Sequence, residues 1–304
     1  MMERRIFLQH SMVLGTGVAL SPSFVLGQNE HPTSLEKITI LHTNDTHSRI
    51  DTFPETDAKH PNQGGVARRF KLIQSIRAKE KNVLLLDAGD IFQGTPYFNK
   101  FGGTLEMKLM SEMGYDCATM GNHDFDAGMD GFKKAKKFAD FPFVCSNYDF
   151  SNTILKGETK NYHIIVKPPF KIGVFGLGIE LDGLVAKTNY GDTIHNDPIK
   201  TAEKIALHLK MEEECDIVIC LSHLGYIPKQ FDISDQLLAK NTSNIDLIIG
   251  GHTHTFLQKP DAVKNKDGKL VLINQVGWAG IALGRIDFFL DEKKRHKGYQ
   301  LQLV

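Results

Sequence analysis

Short apolar runs recur along the chain, and each is cut off by polar residues. They occupy residues 38–41, 83–86, 117–120, 143–145, 164–166, 172–175, 217–221, 247–249, 270–273 and 281–290. Runs this short and this continuously apolar are the pattern of strands buried on both faces. Between them, apolar positions return at helical spacing over residues 66–79, 104–113, 129–139 and 199–214. Strand and helix alternate, so the pattern predicts an α/β fold. Ten strands crowd a single twisted sheet, which favours two stacked sheets with helices outside, a four-layer α/β/β/α sandwich. Pro168-Pro169 and Asp267-Gly268 mark turns and neither reads as a linker, so residues 28–304 are expected to form one domain.

The first 27 residues follow another pattern. Arg4-Arg5 precedes an apolar stretch at 12–20, and Val25-Leu26-Gly27 offers a small-residue cleavage site. That stretch is about half the ~20 residues needed to cross a bilayer. Residues 1–27 therefore read as a signal peptide. The paired arginines give it twin-arginine type, with a general secretory signal as the alternative, and the expected location is periplasmic or extracellular. Residue 28 is Gln, so a cut there would expose no cysteine for a lipid, and no stable membrane anchor is expected.

Composition narrows the class. Of 304 residues, 36 are Lys or Arg and 36 are Asp or Glu, a balance that argues against a nucleic-acid binder. The run Lys133-Lys134-Ala135-Lys136-Lys137 lacks interleaved aromatics and reads as a solvated helix face. Cys117, Cys145, Cys215 and Cys220 sit in or beside apolar runs with no CxxC pair, as small core residues do.

The chemistry is written where strands end. Five clusters follow apolar runs directly: Asn44-Asp45-Thr46-His47, Asp87-Ala88-Gly89-Asp90, Gly121-Asn122-His123-Asp124-Phe125-Asp126, Ser222-His223 and Gly250-Gly251-His252-Thr253-His254. Such loops are where α/β folds gather their sites. Carboxylates, imidazoles and one amide, without thiolates, suit a pair of borderline or hard divalent ions: Zn, Mn, Fe or Co. Gly89, Gly121 and Gly251 stand before Asp90, Asn122 and His252, where tight backbone bends are expected to aim those side chains inward.

This ordered series resembles the calcineurin-like metallophosphoesterase superfamily and, within it, the catalytic domain of the 5′-nucleotidases. The narrower likeness rests on the first three clusters, on Gln93-Gly94-Thr95 and on the stretch from Gly277 to Gly284. It covers about residues 38–290 and implies the metallo-dependent phosphatase fold, a four-layer α/β/β/α sandwich. It also implies that Asp45, His47, Asp90 and His254 hold one ion, that Asp90, Asn122, His223 and His252 hold the other, and that Asp90 bridges. Two such cations would turn a shared water into the nucleophile for a phosphate ester. The same likeness gives His123 the phosphoryl or leaving group, with Asp126 orienting its ring.

Asp87 and Asp124 are expected either to support ligand histidines or to cap loop backbone. Trp278 either stacks on a substrate base or packs at a rim, and His42, His60 and the other histidines outside the clusters are read as non-ligands. The implied function is a phosphomonoesterase acting on nucleotides. The alternative is a phosphodiesterase or nucleotide-sugar pyrophosphatase at the same centre. A non-catalytic module fits poorly, because Asp90 and His123 are both present. Full-length 5′-nucleotidases carry a further substrate domain, and the sequence stops at Val304, so a domain lacking it is expected, with a separate protein like that domain as a candidate partner.

Overall fold

The computed structural model describes residues 35–227 and 233–291 and the backbone of residues 296–303; the signal peptide expected over residues 1–27 lies outside the described residues. The strands are β1 (Glu36–Thr43), β2 (Val83–Asp87), β3 (Cys117–Ala118), β4 (Tyr148–Asp149), β5 (Tyr162–Lys167), β6 (Phe170–Gly178), β7 (Ile194–His195), β8 (Ile217–His223), β9 (Leu247–Gly250), β10 (Asp261–Lys264), β11 (Leu270–Asn274), β12 (Gly284–Leu290) and β13 (His296–Leu303). The helices are α1 (Val66–Arg77), α2 (Pro96–Phe101), α3 (Thr104–Met113), α4 (Gly128–Lys136), α5 (Lys187–Tyr190), α6 (Pro198–Met211) and α7 (Asp235–Asn241).

Two sheets carry the fold, ordered β13-β12-β1-β2-β3 and β10-β11-β9-β8-β6-β5. Their packing follows from strand alternation. Ile38 and Ile40 of β1, Leu84 and Leu86 of β2, Ile217, Ile219 and Leu221 of β8, and Leu247 and Ile249 of β9 meet in one cluster between the sheets. The intervening side chains point outward. Leu41, Val83 and Leu85 pack with Ile73 of α1, Met107 and Met110 of α3 and Phe132 of α4, whereas Val218, Cys220 and Ile248 pack with Ala202, Ala206 and Leu209 of α6 and Leu238 of α7. The order is helix, sheet, sheet, helix, the four-layer sandwich expected from the sequence.

Local chemistry sets the boundaries. Asp197 caps α6 by accepting from the backbone N–H groups of Ile199 (2.9 Å) and Lys200 (3.1 Å), with Pro198 at the first turn. Cis Pro168-Pro169 joins β5 to β6, and Asn265 closes the β10–β11 turn, its N–H donating to Lys269 O at 2.8 Å. The final apolar run becomes a strand only from Gly284, three residues later than its hydrophobicity suggests. All four cysteines are free and buried, and Lys133 and Lys136 pair with Glu158 at 3.0 and 3.2 Å on the surface of α4. Among the described residues, no helix is long and apolar enough to cross a membrane.

His42 is a core residue. It lies opposite Gly284 in the β1–β12 register, where any Cβ would strike its ring, and its Nε2 accepts from Asn274 Nδ2 at 3.0 Å. Complete burial pushes its pKa down to about 3. A depressed histidine stabilises the fold above its unfolded value near ~6.5 and loses that contribution as pH falls toward 3. Between pH 6.5 and 4.5 the loss should be about 2–3 kcal/mol. Urea denaturation at both pH values should therefore show His42→Gln losing less stability on acidification than wild type. Equal losses would contradict it.

Candidate metal centre

β1, β2 and β3 run parallel in one sheet, and β6, β8, β9 and β11 run parallel in the other. Their C-terminal ends meet on one side of the sandwich, and cross-sheet bonds stitch them together. His223 Nδ1 donates to Ala88 O at 2.7 Å, and the His252 N–H donates to both carboxylate oxygens of Asp45, at 3.0 and 3.1 Å. The sequence separations of 135 and 207 residues show why a chain read linearly presents these groups as unrelated.

Two sets of ligand-type atoms result. Asp45, His47 and His254 form one, Asp90, His223 and His252 the other, and within each set the atoms lie within 4.8 Å of one another. His254 Nε2 stands 3.3 Å from Asp45 Oδ1 and 3.1 Å from His47 Nε2, and Asp90 Oδ2 stands 3.1 Å from His223 Nε2 and 3.8 Å from His47 Nε2. Asp90 thus faces both sets. Asn122 reaches the second through Oδ1, 2.9 Å from His252 Nδ1.

The donor set fits divalent cations on three counts. His223 Nε2 is buried without a hydrogen-bond partner although Nδ1 is satisfied, which leaves one ring nitrogen aimed at the carboxylates. His47 has the same build: Nδ1 donates to Phe92 O at 3.1 Å and Nε2 faces inward. The charges point the same way. Burial alone would lower the His223 pKa, but the carboxylates of Asp90 and Asp45 outweigh it and push the ring up to about 10. Burial would raise Asp90, yet His223 and its neighbouring imidazoles hold that carboxyl well below the usual range. Clustered carboxylates here call for positive charge.

Backbone strain concentrates at the same residues. Asp45 (φ 49°), His47 (46°), Asp90 (55°), His252 (71°) and His254 (52°) all adopt the left-handed conformation. Each costs on the order of 1 kcal/mol for a residue with a Cβ, and such strain persists where the surroundings over-determine it. Gly89, at φ 88°, does supply the expected bend before Asp90. Gly121 and Gly251 do not, since neither has a positive φ. Their role is space: a Cβ on Gly121 would strike Asp90 Oδ1 and lie 2.7 Å from His223 Cε1, and one on Gly251 would lie 2.7 Å from His223 Nδ1.

The supporting carboxylates cap loops. Asp124 accepts from the N–H groups of Asp90 (3.0 Å), Ile91 (3.0 Å), Phe92 (3.2 Å) and Gly121 (2.8 Å), and so fixes two clusters to each other. Asp87 accepts from Thr43 Oγ1 at 2.6 Å and the Gly89 N–H at 2.9 Å. Neither bonds a ligand-type histidine, so of the two readings open in the sequence the backbone one holds. Burial pushes both carboxyls up to about 7.

His123 lies beside the pair of sets. Its N–H donates to Asp90 Oδ1 at 2.8 Å, its ring centroid is 5.3 Å from that of His47, and its Nδ1 is 2.8 Å from Asp126 Oδ2. Asp126 raises the His123 pKa against burial's opposing effect.

Two further residues carry the loops. Asn44 donates from Nδ2 to Asp45 Oδ2 and to Gly277 O, both at 2.6 Å, and accepts from the Val276 N–H at 2.9 Å. Gln275 donates to Gly251 O at 2.5 Å and accepts from Thr253 Oγ1 at 3.0 Å and from the Thr255 N–H. Gln275 was not singled out from the sequence. Its signal was the one that marked the other clusters, polar residues directly after the run 270–273.

A model of the calcineurin-like phosphoesterase domain matches residues 38–256. The chain is 34% identical over 288 residues to the trifunctional nucleotide phosphoesterase protein YfkN of Bacillus subtilis, covering 84% of this chain and 18% of that protein. It is 32% identical over 283 residues to the human 5′-nucleotidase, covering 84% of this chain and 47% of that protein. Among solved structures, the 5′-nucleotidase precursor from Thermus thermophilus superposes with a TM-score of 0.79 at 32% identity, over 88% of this chain and 54% of that one. The chain thus spans about half the length of these relatives or less. By the family match and the shared fold, it belongs to the calcineurin-like phosphoesterases.

Proposed function

We propose that this chain hydrolyses phosphomonoesters, nucleotides first among them, at a two-ion centre. Asp45, His47, Asp90 and His254 would hold one ion and Asp90, Asn122, His223 and His252 the other, with Asp90 shared between them. The observation that carries this is the buried Nε2 of His223, which makes no hydrogen bond yet stands 3.1 Å from Asp90 Oδ2, with His47 of the second imidazole–carboxylate set facing the same oxygen at 3.8 Å. With divalent ions bound, the site would supply a water of lowered pKa and positive charge against the phosphoryl oxygens.

The protein's own groups do the rest. Nδ1–H bonds to backbone carbonyls set the rings of His47 and His223, so each presents Nε2 without rearrangement. Asp124 holds the Asp90 and Gly121 loops in register, which fixes Asp90 relative to Asn122. His123, oriented through Nδ1 by Asp126, leaves Nε2 to donate a proton to a phosphoryl or leaving oxygen. Nucleotides lead the substrates because several relatives matched over most of this chain are 5′-nucleotidases.

The test is a screen of metal-reconstituted protein against nucleoside monophosphates, cyclic nucleotides, nucleotide sugars and aryl phosphates. Turnover of the monophosphates, abolished by chelation and restored by metal, is the expected result. Preference for cyclic nucleotides or nucleotide sugars would replace the monoesterase reading, and full activity after exhaustive chelation would end the two-ion one.

A further inference from the structure

We propose, resting on the two-ion reading above, that Trp278 is a positioning residue for His254: its indole is the wall that holds this imidazole toward the first ion. His254 is the least sheltered imidazole of its set, with 39% of its side chain exposed against 8% for His47. His47 and His223 are braced by Nδ1–H bonds to carbonyl groups. At His254 the brace is a ring. The indole of Trp278 lies parallel to the imidazole, with 9° between planes and 5.8 Å between centroids, an offset-stacked arrangement.

The wall is itself fixed. Gly277 and Ala279, on either side of Trp278, donate their N–H groups to Thr255 O at 2.9 Å and Asp45 O at 2.7 Å, which ties the indole to both ligand loops of the set. Phe53 meets the indole edge-on at 5.7 Å, His60 meets it edge-on at 6.5 Å, and the Arg49 guanidinium caps Phe53 at 4.1 Å. A ring so wedged resists swinging away, and an imidazole stacked on it loses little further freedom when it binds metal.

The experiment uses full-length protein stripped by chelation and dialysed against graded Mn²⁺, with metal measured per chain. In Trp278→Ala, one ion should keep wild-type affinity and the other should weaken by about 10- to 100-fold, the range for a lost outer partner of a ligand. Trp278→Phe, which keeps a ring, should recover most of that loss. Trp278 is the sole tryptophan in the chain, so its emission in the wild type reads the stacked pair directly. Emission should change with occupancy of the weakened ion's site alone, and the change should vanish in His254→Ala.

Two ions at unchanged affinity in Trp278→Ala would overturn the proposal. So would a raised KM for nucleotides, with aryl phosphate and metal affinity unaffected, which would make the indole a substrate platform. If the alanine variant fails to fold, wild-type emission indifferent to metal overturns it instead. Fewer than two ions in the wild type would defeat the two-ion reading itself, and that is measured before any variant is made.

Discussion

Asp90→Asn is expected to abolish hydrolysis, by on the order of 10³-fold or more, and to lower the metal content toward one ion per chain or none. The size follows from position. An outer partner of a metal ligand costs about 10- to 100-fold when lost, and a group shared by two ions removes a direct bond from each. Asp90 Oδ2 lies 3.1 Å from His223 Nε2, and it also faces His47 Nε2 at 3.8 Å. The amide is nearly isosteric but neutral, so it removes one negative charge from the centre of the set. The structural cost should be small by comparison, because the Asp90 N–H still reaches Asp124 and Asn Oδ1 can still accept from the His123 N–H. Elemental analysis, a phosphatase assay and a thermal melt on one preparation separate these effects. A variant that retains both ions and measurable turnover would remove Asp90 from the bridge.

The fold was legible because its physics is local. Continuous apolar runs such as 217–221 and 247–249 form β8 and β9, and the helical spacing over 104–113 coincides with α3, Thr104–Met113. What escaped has few apolar residues to announce it. β10, with alternate residues exposed, and α7, seven residues long, follow from pairing and capping: β10 runs antiparallel to β11, and Ser234 caps α7 through the Leu237 N–H. The candidate site was legible for another reason. Each of its side chains belongs to a polar cluster at a strand end, and parallel strands deliver such clusters to one edge. The same logic missed Gln275 because its cluster, Asn274-Gln275, holds no carboxylate or imidazole. His60 likewise gave no sign that it would brace the indole beside His254, since ring packing between residues 60 and 278 leaves no local mark.

His123→Ala is expected to lower turnover by roughly 10²- to 10⁴-fold while leaving the metal content intact. The two halves of the expectation have separate structural grounds. His123 touches Asp90 through its main-chain N–H, at 2.8 Å, and alanine keeps that bond. The ring itself is tied to Asp126, 37% of the side chain is exposed, and it belongs to neither set of ligand-type atoms. Chemistry should suffer and binding of the ions should not. The substrate then decides what the ring does. A group that protonates the leaving oxygen matters most when that oxygen is a poor leaving group, so a nucleoside monophosphate should lose more than an aryl phosphate, whose phenolate departs unaided. A group that only stabilises charge on the phosphoryl oxygens should matter about equally to both. Asp126→Asn, which keeps the ring but weakens its orientation, should fall between wild type and His123→Ala on each substrate. If His123→Ala instead loses metal along with activity, the ring is a ligand and the division of roles around Asp90 must be redrawn.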